Sequence, residues 1–234
     1  MHAACLFAPF FFSWSAVGVF LAGYVLTGLG ITLSFHRQLT HKSFATPKWL
    51  EYTFAYLGAL ASQGDPIEWV SAHRYHHAHC DTEVDPHSPR DGAFWSHMGW
   101  IWNARKLKVL ESDTNASDLR EQPFYVWLKK TYAWQIVAQA SVLFLLGGMP
   151  WLLWGFCMRT VLVWNVTWAV NSVCHIWGRQ TFRTSDVSMN NPVVGLLALG
   201  EGWHNNHHAF EDSCRHGLKW WQIDFTWYAI LLLQ

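Results

Sequence analysis

Two long stretches of the chain are almost free of charge. Between Ala3 and Phe35 there is no Asp, Glu, Lys or Arg, and between Tyr132 and Gly178 Arg159 is the only one. A bilayer core of ~30 Å takes ~20 apolar helical residues. The first stretch is therefore long enough for one crossing and the second for two. Pro9 and the Ser13-Trp14-Ser15 break place an interfacial lead-in before the first span, which is expected over about Ala16 to Phe35. Gly147-Gly148-Met149-Pro150 divides the second stretch into a helical hairpin, because Gly and Pro end helices. Arg159 is expected near that turn, with its head snorkelling to the far interface. Trp49 to Ser62, Pro192 to Gly200 and Phe225 to Leu233 are too short to cross. The first of these reads as interfacial and the last as an amphipathic helix lying on the membrane. The first residues lack a basic region and an Ala-x-Ala site, so no signal or transit peptide is read.

Basic residues fix the orientation. All but Arg159 lie either between the first span and the hairpin or after the hairpin, so they share one side, cytosolic or stromal. The fold class that follows is all-α: an integral, multi-pass membrane helical protein with a cytosolic or stromal-facing helical cap.

Histidine changes the picture. His36-Arg37-Gln38-Leu39-Thr40-His41 is H-x4-H, while His73-Arg74-Tyr75-His76-His77 and His204-Asn205-Asn206-His207-His208 are both H-x2-H-H. Positions i, i+3 and i+4 share one α-helical face, so each H-x2-H-H aims three imidazoles at one point. Asp65-Pro66-Ile67-Glu68 starts a helix before the second cluster, with Asp as N-cap and Pro at the first position. That helix sets Trp69 one turn before His73. Five residues of α-helix turn through ~500°, so H-x4-H is expected at a helix end, with His36 closing the span and His41 folding back from the loop. The topology returns all three clusters to one side. His175 ends the hairpin on that side, above a polar stripe of Asn171 and Thr167. His79 and His87, with Asp81 and Asp85, are candidates for orienting ligand rings, whereas His2, His97 and His216 read as interfacial or surface residues.

Composition agrees. The 234 residues include 14 His and 17 Trp, and charged residues make up only 14%, against about 25% in soluble domains. Lys+Arg 16 balances Asp+Glu 16, which argues against a nucleic-acid binder. The five cysteines form no C-x-x-C, so a reducing compartment is the simpler reading. Nine converging imidazoles exceed the three or four ligands of a zinc site and suit two ions. Nitrogen ligation beside an apolar helical stripe points to iron and O₂ chemistry on a lipid chain. A transporter or haem-binding subunit is the non-enzymatic alternative, but it would place its ionisable ligands at the membrane midplane.

HRQLTHKSF, QGDPIEWVSAHRYHH, DPHSP, NVTWAVNSVCHIWG and GEGWHNNHHAF together resemble the membrane fatty-acid desaturase family, on its delta-9 side. The plant and algal acyl-lipid branch is most similar, including plastid palmitoyl-galactolipid delta-7 desaturases. The resemblance implies a di-iron oxidoreductase that uses O₂ to introduce a cis double bond, with no catalytic residue beyond the metal centre. It implies metal ligation by His36, His41, His73, His76, His77, His175, His204, His207 and His208, with Asn171 reaching a metal through water. It implies Gln63, Trp69 and Thr167 at the bend of a substrate tunnel. Electrons are expected not from a fused haem domain but from a separate donor, ferredoxin or alternatively cytochrome b5, reducing the site at the basic surface near Arg105, Lys106, Lys108, Lys129 and Lys130. The substrate is expected to be a galactolipid or phospholipid, in a chloroplast membrane or alternatively the endoplasmic reticulum. A hydroxylase on the same metal chemistry is the runner-up, with an acyl-CoA desaturase behind it. One membrane domain is expected over residues 1–234. Against the family's four spans it reads as incomplete at the N-terminus, where the first helix is missing or reduced to Ala3 to Phe12, and near the C-terminus.

Overall fold

The computed structural model describes residues 1–103 and 115–233. Among these the only β pairing is two isolated bridges, Arg179–Asn190 and Asn190–Trp203; the rest is helices, turns and loops. Two stretches are long and apolar enough to cross a membrane, Trp14–Thr40 and Pro123–Ile176.

The first begins at Ser13, whose hydroxyl accepts the Ala16 N–H at 3.2 Å. It runs as an α-helix over Trp14–Leu29 and continues as a π-helix over Gly30–Thr40. The helix thus extends beyond the expected end at Phe35. The expectation that His41 folds back from a loop is corrected, because the His41 N–H donates to His36 O at 3.1 Å. That i→i+5 bond is the π register, which brings residue i+5 close over residue i. Thr40 Oγ1 adds a bond to Phe35 O at 2.7 Å. Every residue from Gly30 to Thr40 is buried, so tertiary packing sustains a geometry that is rare in isolation.

The helix Lys48–Ala59 packs backbone to backbone on this segment. A Cβ on Gly30 would come within 2.3 Å of Gly58 N, and one on Gly58 within 2.6 Å of Phe35 Cε1. Small residues permit such crossings. The helix Pro66–His79 starts as expected: Asp65 accepts the N–H groups of Ile67 and Glu68, and losing this cap would cost about 1 kcal/mol. Arg74 ties that helix to its neighbours, donating to Leu39 O, Thr40 O and both oxygens of Asp118.

The second long stretch reverses at Gly148, whose φ of 64° and ψ of −154° interrupt the helix within the expected turn. Its limbs pack together through Ile136, Ala140 and Leu143 against Leu153, Phe156 and Cys157. Arg159 departs from expectation. It does not snorkel, but is fully buried, donating to Gly155 O at 3.2 Å and Leu60 O at 2.8 Å. Close approach to Gly23, where a Cβ would sit 3.4 Å from Arg159 Cγ, gives it room. The hairpin's second limb ends in Arg159–Ile176, which carries Thr167, Asn171 and His175. Residues Ala3 to Phe12 form a short helix and a 3-10 turn, with Ala8 buried and its carbonyl accepting from Trp154 Nε1 at 2.9 Å. The terminal helix Phe225–Leu231 buries Thr226 and Ile230, and Thr226 meets Thr32 at 2.7 Å.

Candidate metal centre

The π-helix, the second-box helix, the end of the hairpin and the short helix His204–Ala209 converge. His36, His41, His73, His77 and His207 each bring one nitrogen within 4.8 Å of the others. His76, His175 and His208 form a second such group with Cys80 Sγ. His204 joins it, with its Nε2 at 2.9 Å from His175 Nε2 and 3.0 Å from His208 Nε2. All nine expected imidazoles fall into these two groups, but the expectation that each H-x2-H-H aims three rings at one point is corrected. His73 and His77 join one cluster and His76 the other, while His204 and His208 join one and His207 the other, because position i+3 is turned about 60° from the line of i and i+4.

The spacing tests whether ions fit. His207 Nε2 lies 3.2 Å from both His36 Nε2 and His77 Nε2, and His73 Nε2 lies 3.1 Å from His77 Nε2. A neutral ring nitrogen bears at most one proton, so His207 and His204 cannot serve two such neighbours by hydrogen bonding alone. With metal–nitrogen bonds of ~2.1 Å, ligands at right angles lie ~3.0 Å apart and tetrahedral ones ~3.4 Å. The observed contacts match neighbouring positions around one ion in each group. Buried His41 Nε2 lacks any hydrogen-bond partner, as a nitrogen reserved for a metal would.

Carboxylates face the outer nitrogens of five rings, as metal-binding histidines generally require. Asp85 holds His76 Nδ1 at 3.0 Å, Asp81 holds His175 Nδ1 at 3.1 Å and Asp186 holds His208 Nδ1 at 3.0 Å. Glu201 Oε2 lies 2.6 Å from His36 Nδ1, and Glu211 lies 3.2 Å from His77 Nδ1. Asp81 and Asp85, the candidates for orienting rings, thus contact His175 and His76. His87 packs 4.2 Å from His76, while His79 contacts only Tyr75 among the described rings.

Electrostatics favour neutral rings and charged carboxylates. Burial holds His208 down at about 4 although Asp186 pulls it upward. Burial, then neighbouring imidazoles, hold His76, His204 and His207 well below the usual histidine range. Burial pushes Glu201 up, but Arg37 and the facing imidazoles outweigh it and keep the carboxyl far below its ordinary value. Cys80 Sγ lies 3.6 Å from His76 Nε2. Burial, followed by Asp81, Asp186 and Asp85, pushes the thiol far upward.

Two surface assignments are corrected. His216 is 1% exposed, with its ring 4.5 Å from His207 and its Nδ1 3.1 Å from Glu201 Oε2. His97 is half-buried and bonds Ser172 at 2.9 Å and Asn165 at 3.2 Å. Glu201, Asp186, Glu211 and His216 were not singled out as supports. Only Glu201 has a local signal, a lone acid between Gly200 and Gly202 just before the third box. Its Oε1 accepts Arg37 Nε at 3.0 Å and Nη2 at 2.9 Å. Arg37 also donates to both Asp224 oxygens, tying the C-terminal segment to the first box.

An apolar cavity of about 400 Å³ adjoins the rings. His36, His73, His204, Glu201 and Asn171 line one part of it, and Ile31, Val163 and Val166 another. Gln63, Trp69 and Thr167 also line it and are linked: Gln63 Nε2 donates to Thr167 Oγ1 at 2.9 Å, and Trp69 Nε1 to Gln63 Oε1 at 3.4 Å. Trp69 stacks on His73 at 5.0 Å.

Residues 12–231 match the family model described as fatty acid desaturase. The chain is 55% identical to palmitoyl-monogalactosyldiacylglycerol delta-7 desaturase, chloroplastic, of Arabidopsis thaliana, over all of this chain and 64% of that protein. It is 50% identical to acyl-CoA C20 Delta5-desaturase of Anemone leveillei, over all of this chain and 76% of that protein. It is 49% identical to delta-9 acyl-lipid desaturase 2 of Arabidopsis thaliana, over 98% of this chain and 75% of that protein. The chain therefore spans just under two thirds of the first of these relatives.

Proposed function

This chain belongs to the fatty acid desaturase family, and on that premise we propose that it is an acyl-lipid desaturase of a chloroplast membrane with two iron ions. The observation that carries the proposal is the pairing of two imidazole clusters with an apolar cavity whose wall includes ligand rings from both. His36, His41, His73, His77 and His207 would hold one ion; His76, His175, His204 and His208 would hold the other, with Asn171 near it through water. The ions would supply, with O₂, the oxidant that an unactivated methylene requires.

The chain's own residues do the rest. Apolar walls at Ile31, Val163 and Val166 exclude water and hold the acyl chain. The linked Gln63, Thr167 and Trp69 set a bend beneath the rings, favouring a cis product, and the bulk of Trp69 helps choose which methylenes are presented. Asp81, Asp85, Asp186, Glu201 and Glu211 face the outer nitrogens of five of the nine rings and fix their orientation.

We read the chain as one domain crossing the membrane at Trp14–Thr40 and at the two limbs of Pro123–Ile176, with the metal centre on the stromal side. The endoplasmic reticulum is the alternative location. Ferredoxin is the proposed donor and cytochrome b5 the alternative. A basic docking surface at Arg105, Lys106, Lys108, Lys129 and Lys130 was expected. The first three lie outside the described residues, and Lys129 is engaged by Glu68 at 2.7 Å and Asp65 at 3.6 Å. The relatives named above are desaturases, which does not favour the hydroxylase reading. The acyl-CoA relative sustains a second reading, in which the thioester rather than the lipid is the substrate.

The test is expression in a host lacking this desaturation, followed by fatty-acid analysis of separated lipid classes. A new cis olefin appearing first in a membrane glycerolipid supports the proposal. An alcohol product contradicts it, and an olefin appearing first in the acyl-CoA pool selects the second reading.

A further inference from the structure

One donor of the second cluster is a sulfur. Cys80 closes the helix Pro66–His79, one turn after His76. Its Sγ lies within 4.8 Å of one nitrogen of each of His76, His175 and His208. It is 3.6 Å from His76 Nε2 and 3.7 Å from Asp81 Oδ2. With metal–sulfur bonds of ~2.3 Å and metal–nitrogen bonds of ~2.1 Å at the tetrahedral angle, sulfur and nitrogen lie ~3.6 Å apart. A thiol hydrogen bond to His76 has a similar length. It gives no reason, however, for the sulfur to stand beside His175 and His208 as well.

The rings require a cation independently of the cysteine. His175 Nδ1 faces Asp81 and His208 Nδ1 faces Asp186. The single proton of each neutral ring is thereby placed on Nδ1, and each Nε2 is left as a bare lone pair. Both of these Nε2 atoms meet the same atom, His204 Nε2, at 2.9 Å and 3.0 Å. That nitrogen carries at most one proton, so one lone pair stays unmet among three rings that are 8% exposed or less. Cys80 reaches this cluster from the side away from the substrate. Cys80 and His208 line an open crevice of about 530 Å³, whereas His204 and Asn171 line the apolar cavity, and the two spaces share no lining residue. A sulfur bond from the crevice leaves the cavity-facing side of an ion to water and the acyl chain.

We propose that Cys80 is a fifth protein ligand of the four-histidine ion and binds it as the thiolate. This rests on the two-ion reading and adds a sulfur donor to it. The nearby carboxylates oppose a bare thiolate, but a bound dication reverses that balance and deprotonates a coordinating thiol outright. The S–H bond is replaced by a sulfur–metal bond, and the proton leaves through the crevice to solvent. Each ion then has five protein donors: five imidazoles at one, four imidazoles and a thiolate at the other. The thiolate adds a negative charge at one ion only, which makes the pair electronically unequal.

The test uses cobalt(II), which such donor sets bind more tightly than iron(II). A thiolate ligand gives cobalt a strong sulfur-to-metal charge-transfer band in the near ultraviolet, and imidazoles do not. The metal-free chain in lipid nanodiscs is titrated with cobalt, and the bound metal is counted. The unaltered chain should show the band with two ions bound. Cys80→Ser should lose the band and keep both ions. Bound cobalt should also block alkylation of Cys80 by iodoacetamide, as read by peptide mass spectrometry. Two bound ions without the band, or a band that persists in Cys80→Ser, would overturn the sulfur ligand and leave the two-ion reading intact. A band with one ion bound would keep the ligand and count against two ions, and neither band nor second ion would sink both. If Cys80→Ser sheds an ion together with the band, alkylation of the unaltered chain decides. A Cys80 that reacts as fast with cobalt as without it overturns the proposal.

Discussion

His41 sits one π turn beyond His36, their ring centroids 4.9 Å apart and their planes at 85°. The H-x4-H spacing, which an α-helix would splay, puts both imidazoles in one cluster because the backbone bonds i→i+5. The register is therefore a functional feature of the first box. A double variant, Thr40→His with His41→Ala, would restore the pair in an α-helix but not here. It should bind iron no better than His41→Ala alone, as measured by metal analysis. Recovery of iron would show that the segment is α-helical when loaded.

What the chain displays locally was legible. Asp65, Pro66 and Glu68 mark a helix start by ordinary capping rules, and Gly148 with Pro150 marks a reversal. The H-x2-H-H groups lie on regular helix, so their i and i+4 rings were legible as neighbours, but the i+3 rings His76 and His207 each join the opposite cluster, which helix periodicity alone does not show. The first box misled because periodicity arguments assume 3.6 residues per turn, and a π segment depends on tertiary packing around Gly30 and Gly58. Arg159 misled because a lone charge in an apolar run gives no sign of the carbonyls that will receive it. Glu201 pairs with His36, Asp186 with His208 and His216 with Glu201 across 165, 22 and 15 positions of sequence, so no spacing reveals them.

Glu201 faces both His36 and His216 while Arg37 holds its other oxygen. Glu201→Gln keeps the shape but removes the charge that orients these rings. It should weaken iron binding at the five-histidine cluster by about 10–100-fold, the usual effect of losing an outer partner of a ligand histidine. His216→Ala should weaken it in the same direction. Chelator competition would read both, and unchanged affinity in Glu201→Gln would show that Arg37 alone positions the site.

Acid should destabilise the metal-free chain well above the carboxylate range. His76, His204, His207 and His208 stay neutral when folded, chiefly through burial. In the unfolded chain they take protons near pH 6.5. The unfolded state then binds more protons, so stability falls as pH drops from about 6.5 toward the folded value of about 4 for His208. Iron should raise stability without flattening this dependence between pH 7 and pH 5, because the folded rings bind no proton with or without the metal while the unfolded rings do. Thermal unfolding of chelator-treated and iron-loaded protein over that range would check it. A metal-free chain whose stability does not fall across this range would contradict the buried, neutral state of these rings.

Trp69, Gln63 and Thr167 form one hydrogen-bonded group lining the cavity. Trp69→Ala and Thr167→Val should change the rate or the double-bond position with iron content intact, as read by mass spectrometry of derivatised olefins. Unaltered rate and position in both would remove these residues from the substrate path.

The central claim is that the two imidazole clusters hold two iron ions in one chain. Iron quantified per chain in purified, active protein tests it most directly, with Mössbauer spectroscopy on the same sample to resolve the sites. The account predicts two ions per chain in inequivalent environments, one with five histidines and one with four. One ion or fewer per active chain would contradict it.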